Sequence, residues 1–192
     1  MFYFEATNLI STLFYFEASR PPRGFFVVSH EKSICPCCSG ALECIGSRTR
    51  TFINETSDKQ NLIIRRLRCE ECVRIHHELP DMLIPYKRYE SKCIEAVIDG
   101  KAGLAVAADE STIRRWREWF RRIVEYLAGC LESAAARFGI GVAAKPKDGG
   151  CSPLKRIKRQ TGAEEGWMAK AVRTATNMNL WVHTRSAFQA AG

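Results

Sequence analysis

An uncharged apolar run long enough to cross a bilayer is missing, because Glu5 and Glu17 interrupt the aromatic opening stretch at residues 1–24. A basic region ahead of an apolar core is missing too, since the first charge is the acidic Glu5. The sequence therefore predicts neither an export signal nor a membrane partner. The expected compartment is the cytoplasm, where paired cysteines hold metals more often than they form disulfides. Catalytic signatures are equally scarce. No nucleophile elbow, phosphate-binding glycine loop or His/Asp/Glu metal cluster can be read along the chain. Residues 126–192 offer only Glu132, Asp148, Glu164 and Glu165, without strands to hold three carboxylates around catalytic metals. No enzyme is expected.

What is present describes a folded protein. Of 192 residues, 46% are hydrophobic and 26% charged, enough apolar surface to offset chain entropy in one domain or two small ones. The net charge of +8 is unevenly placed: residues 111–192 carry fifteen basic and six acidic side chains, residues 34–110 eleven and twelve. A positive field confined to the C-terminal part suggests an anionic partner.

The nine cysteines carry the sharpest signal. Cys35 and Cys38 form one C-x2-C pair, Cys69 and Cys72 another. Two thiolates three residues apart grip one ion while the chain turns tightly, and two such turns complete a tetrahedral four-thiolate shell that favours Zn2+. Each pair follows a strand-like run, FFVVS at residues 25–29 and LIIRRL at 62–67, as in a zinc ribbon. The thirty residues between the pairs have room for the ribbon's hairpin. Cys37 and Cys44 are expected to be spectators. His76 and His77 could replace a thiolate, but a complete four-cysteine site needs no fifth ligand. One closed, structural zinc is expected. Cys93 and Cys130 are expected to pack in helices as small apolar residues.

The aromatic segment repeats FYFEA at residues 2–6 and 14–18, compatible with paired strands or one apolar helix. From residue 91 the pattern turns helical, with Ile113, Trp116, Phe120, Ile123, Leu127 and Leu131 at spacings of three and four. Asp109 or Ser111 can cap that helix, and Gly139 or Gly141 can end it. A Gly/Pro-rich loop at residues 141–153 and a second helical stretch at 164–177 follow. The expected class is α+β: a small β zinc ribbon, then a mainly α-helical, helix-turn-helix-like part. The expected divisions are residues 1–33, an aromatic segment with a lead-in strand; 34–90, ribbon and linker; 91–140, the helix-turn-helix-like region; and 141–192, a basic loop and C-terminal helix.

Ser111 and Thr112 at the helix start can bond phosphates, and Arg114, Arg115, Arg117, Arg121 and Arg122 can reach phosphates or base edges. First-turn Arg114 and Arg115 suit base edges, and the later Arg121 and Arg122 suit phosphates. The bland reading of such a run is a solvated helix face. Lys155, Arg156, Lys158 and Arg159 form a second basic cluster, read equally well as a backbone contact or a solvated flexible segment.

Three features together carry a resemblance: the four-cysteine pattern, LPDMLIPYKRY at residues 79–89 and DESTIRRWREWF at 109–120. Over roughly residues 34–125 the chain resembles a bacterial domain-of-unknown-function family. That family is similar to the zinc-ribbon plus helix-turn-helix front end of insertion-sequence transposases. The resemblance implies double-stranded DNA as partner and a mobile-element-related protein; with no catalytic constellation along the chain, an accessory factor or regulator without its own catalytic site is expected. Two alternatives stay open: a protein-interaction ribbon module, and a truncated transposase acting with a catalytic protein partner. A first helix fits residues 92–99, but only 101–108 remain for the second helix and its turn, and Gly103 weakens it.

Overall fold

Strand β5 (Lys59–Cys69) is the axis of a curled sheet. In the computed structural model, which describes residues 8–18, 24–100, 106, 108–139 and 151–181, β4 (Leu42–Ile53) pairs antiparallel along the whole of β5. Two strands share β5's other edge: β6 (Ile75–Pro80) beside Arg66–Arg68, and β3 (Phe25–Ser29) beside Leu62 and Ile63. β1 (Asn8–Thr12) extends the sheet parallel to β6, and β2 (Phe14–Ala18) extends it antiparallel to β3. The second FYFEA copy is thus a strand. The first lies outside the described residues.

β4 has no apolar alternation, and residues 43–49 are all exposed. Its order comes from pairing with β5, whose Leu62, Ile63, Ile64 and Leu67 are buried. A polar turn joins the two strands. Asn54 Oδ1 accepts from the backbone N–H of Thr56 (3.1 Å) and of Asp58 (2.7 Å), a side chain standing in for a backbone turn. Phe52, Leu62, Ile64, Leu79, Leu83 and Val27 form the apolar core of the sheet.

Among the described residues four helices complete the α+β architecture: α1 (Ser91–Asp99), α2 (Glu110–Arg137), α3 (Pro153–Thr161) and α4 (Trp167–Asn177). Their shared core holds Trp116, Phe120, Ile123, Leu127 and Leu131 of the expected stripe, with Ile94, Ile157 and Trp167. Asp109 caps α2 by accepting from Thr112 N at 2.7 Å, and Gly139 follows its end with φ 62°. Cys93 and Cys130 are buried in helices. The second helix expected at residues 101–108 lies largely outside the described residues, and Val106 and Ala108 are not helical.

Two long-range ties fix the packing, one between helices and one between helix and sheet. The buried Glu95 of α1 accepts from the backbone N–H groups of Gly166 (2.8 Å) and Met168 (2.9 Å), so α1 supplies the cap that α4 lacks in its own sequence. Asn177, at the end of α4, bonds both the N–H and the C=O of Ser11, each at 2.8 Å. That amide covers the otherwise open edge of β1. Among the described residues, no helix is long and apolar enough to cross a membrane.

Candidate metal centre and basic helix

The two C-x2-C turns have one design. In the first, Ser39 N donates to Cys35 O (2.8 Å) and Cys35 N to Gly40 O (3.0 Å). In the second, Val73 N donates to Cys69 O (3.1 Å) and Cys69 N to Arg74 O (2.9 Å). The first turn leads into β4 and the second joins β5 to β6, so the β4–β5 pairing delivers both to the same end of the sheet. Glu70 N donates across to Ala41 O at 3.1 Å. Gly40 leaves room at this junction, since a Cβ there would stand 2.6 Å from Glu71 Cγ and 3.1 Å from Cys69 Sγ, so the Glu71 side chain would have to shift.

Cys35, Cys38, Cys69 and Cys72 consequently meet, their sulfurs all within 4.8 Å of one another. Cys35 and Cys72 Sγ are 3.6 Å apart, and Cys38 and Cys69 Sγ 3.4 Å. A tetrahedral ion with metal–sulfur bonds of about 2.3 Å sets its sulfurs about 3.8 Å apart, so the four thiols fit one ion. None of the nine cysteines is in a disulfide. The backbone N–H of Cys72, 3.5 Å from Cys69 Sγ, leads the interactions that lower the Cys69 thiol to about 7. Burial pushes the Cys35 thiol up, a desolvation cost that a bound cation offsets.

His76 and Cys37 are closer to this centre than the spacing suggested. Alternation along β6 sends His76 and His77 to opposite faces. His76, fully buried, brings Nε2 to 3.3 Å from Cys35 Sγ, while Nδ1 has no hydrogen-bond partner. With a metal-bound thiolate at Cys35, which only accepts, Nε2 would be the donor of this contact. Cys35, Cys37 and His76 also form a three-ligand group of their own, but it shares Cys35 with the four-thiol set. Cys37 Sγ accepts from Arg74 Nη1 at 3.3 Å. Beside these, the buried Glu78 takes a bidentate pair from Arg65 (2.6 and 2.9 Å) and the Ser33 hydroxyl (2.9 Å). The signal that could have found His76 is period-2 alternation just after the second turn, which puts its side chain on the thiol side of β6.

The basic helix is oriented by its aromatic residues. Trp116, Trp119 and Phe120 are buried, whereas Arg114, Arg115, Arg117, Arg121 and Arg122 are exposed. The hydroxyls of Ser111 (2.7 Å) and Thr112 (3.4 Å) already donate to Asp109, whose carboxylate stands where a phosphate would dock on the helix start. Arg115 folds back to donate to Thr112 Oγ1 at 2.9 Å.

The second basic cluster is helix α3 rather than a flexible segment. Arg156 points inward, with a bidentate pair to Glu132 (2.8 and 3.0 Å) and a further bond to Glu125. Lys158 reaches Asp99 at 2.6 Å and lies over the Trp167 ring. These two cations join α3 to α2, α1 and α4; Lys155 and Arg159 stay exposed. Trp167 and Trp181 are buried.

The two sequence stretches at residues 79–89 and 109–120 touch. Ile53 N donates to Arg88 O (2.7 Å), tying the turn at residues 84–89 to the end of β4, and Tyr89 packs edge-on against Trp116 with centroids 4.9 Å apart. No curated protein and no solved structure matches the chain. Residues 35–116 match a family described as a domain of unknown function, DUF6431, a span that opens on the first cysteine of the candidate metal centre and closes on Trp116, on the buried face of the basic helix.

Proposed function

We propose that the protein is a zinc-stabilised DNA-binding protein without a catalytic site of its own. On this reading the paired cysteine turns with β4, β5 and β6 form a zinc ribbon, and α1 and α2 serve as a helix-turn-helix-like unit. Zinc in a closed four-thiolate shell supplies folding energy, on the order of 10 kcal/mol, and no open position for chemistry. The carrying observation is the exposed arginine face of α2, anchored from behind by buried Trp116, Trp119 and Phe120. An arginine face on a rigid helix supplies phosphate neutralisation and base-edge contacts together. The resemblance to transposase front ends favours a mobile-element-associated accessory factor or regulator.

A protein-interaction module is the second reading, favoured by the exposed apolar side chains of Ile34 and Val73 beside the two cysteine turns. Titration of labelled duplex DNA with the zinc-loaded chain at several salt concentrations separates the two. Binding that weakens steeply with salt is expected. Absence of duplex binding at low salt would reject the DNA reading in favour of the protein module.

A further inference from the structure

The cations of this protein sort into two kinds. Arg65, Lys92, Arg156, Lys158 and Arg173 each form an ion pair with a carboxylate inside the chain. Arg88, Arg115 and Arg122 form none among the described residues. All three line a single groove of about 480 Å³ between the turn at residues 84–89 and the flank of α2. Lys87 lines it too, its ammonium 4.2 Å from the centroid of the Trp119 ring. Glu118 is the only acid among the described residues that line it, so four cations face one carboxylate.

The groove is braced rather than incidental. Arg50 of β4 donates to Lys87 O at 2.7 Å, fixing the turn from below. Tyr86 holds φ 64°, a left-handed conformation costly for an aromatic residue. Burial lowers the Lys87 ammonium to about 8. Packing charges of one sign into a braced concavity is unfavourable for the chain alone, and an anion relieves it.

We propose that the groove is a phosphate clamp through which one strand of a bound DNA duplex passes. This rests on the DNA-binding reading above and divides the basic helix by face. Arg115 and Arg122 work with Lys87 and Arg88 on the sugar-phosphate backbone, whereas Arg114, Arg117 and Arg121 do not line the groove and are left for other contacts. The division by position along the helix, with Arg115 as a base reader, gives way to a division by side. Two surfaces, turn and helix, converge on one strand, which a solvated helix face does not provide.

The test uses the zinc-loaded full chain, a labelled duplex and pyrophosphate. Arg88→Gln and Arg122→Gln change exposed side chains, so zinc content and thermal unfolding should match the wild type. Each is expected to weaken all duplex sequences alike and to flatten the salt slope by about one unit. Glu118→Gln is expected to tighten binding, a sign that loss of structure cannot produce. Pyrophosphate is expected to shift the NMR signals of the Trp119 indole and the Arg122 guanidinium. Duplex binding with an unchanged slope in both arginine variants would overturn the clamp and leave the DNA-binding reading standing. Pyrophosphate shifts without any duplex binding would overturn the DNA strand as occupant, and a response to neither probe would overturn both readings.

Discussion

Ser39 and Val73 stand at the same place in the two cysteine turns, one residue beyond the second thiol, and both adopt left-handed backbone conformations, φ 64° and 60°. In each turn this residue's N–H closes onto the carbonyl of the first cysteine. The left-handed step turns the chain back so that the first cysteine's N–H reaches the carbonyl one residue further on. Valine is a poor residue for this conformation, because its branched Cβ crowds the carbonyl. Val73→Gly should remove about 1 kcal/mol of strain, partly offset by glycine's greater freedom in the unfolded chain. The expected outcome is a higher unfolding midpoint for the metal-loaded protein, measured in guanidinium. A lower midpoint would show that the side chain of Val73, although half-exposed, contributes more by contact than it costs in strain.

The ligand set makes a stoichiometric prediction. The purified protein should hold one zinc per chain. Cys69→Ser should lose it and unfold residues 34–78, because Cys69 is buried and shared between the two turns' contacts. Cys37→Ser should keep it, since Arg74 rather than the four-thiol group engages that sulfur. Metal analysis with far-UV circular dichroism distinguishes the two. Loss of zinc from the Cys37 variant would instead point to the group of Cys35, Cys37 and His76.

His76 should act through Cys35 rather than as a ligand. Its Nε2–H partly neutralises a thiolate of a shell that carries two net negative charges around zinc. His76→Phe keeps an aromatic ring in the buried space and removes the donor. Metal affinity should fall about 10–100-fold, the usual cost of losing such a partner. The cobalt-substituted variant should keep the absorption of a four-thiolate site. A shift toward a three-sulfur spectrum in the wild type that the variant lacks would make His76 a ligand.

The four-thiol cluster and the long helix were legible in the sequence because each obeys a local rule: a three-residue thiol spacing, and apolar residues every three or four positions. Asp109 as cap and Gly139 at the end followed from the same short-range chemistry. β4 was not legible, since LECIGSRTRTFI shows no apolar alternation and takes its conformation from the neighbouring β5. Arg156 and Lys158 read as free cations because their partners, Glu132, Glu125 and Asp99, are remote in sequence. Glu95 capping α4 from seventy residues upstream is the same kind of information, absent from any window of sequence. Local chemistry announces itself, whereas charge compensation depends on packing.

His77 should give the protein an acid-side loss of stability. Burial first, then the charges of Arg48 and Arg66, lowers its imidazole from 6.5 to about 4. Because the unfolded chain binds this proton more readily, the contribution is fully present above pH 6.5 and is lost as pH falls through 6.5 toward 4. His77→Gln removes the titration while leaving the four thiols in place. The difference in unfolding free energy between wild type and variant should therefore change across that window and be flat above it. A pH-independent difference would mean that His77 is not held neutral in the fold.

Arg156 separates a structural cation from a DNA-binding one. Its guanidinium bridges α3 to two carboxylates of α2, and α3 makes no other ion pair with that helix among the described residues. Arg156→Ala leaves Glu125 and Glu132 unpartnered by it at a half-exposed junction, so water can compensate part of the loss. Stability should drop by about 1 kcal/mol, seen as a lower thermal midpoint. The salt slope for duplex DNA should match the wild type, because the guanidinium is already occupied. Lys155 and Arg159 lie exposed on the same helix, and a double change to Gln at both should leave the midpoint unchanged. If that double variant also leaves the salt slope unchanged, α3 is a strut for α2 and the DNA contacts lie on α2 and the turn at residues 84–89. If Arg156→Ala itself flattens the slope without loss of stability, the bridge to Glu132 opens on binding, and α3 belongs to the DNA surface.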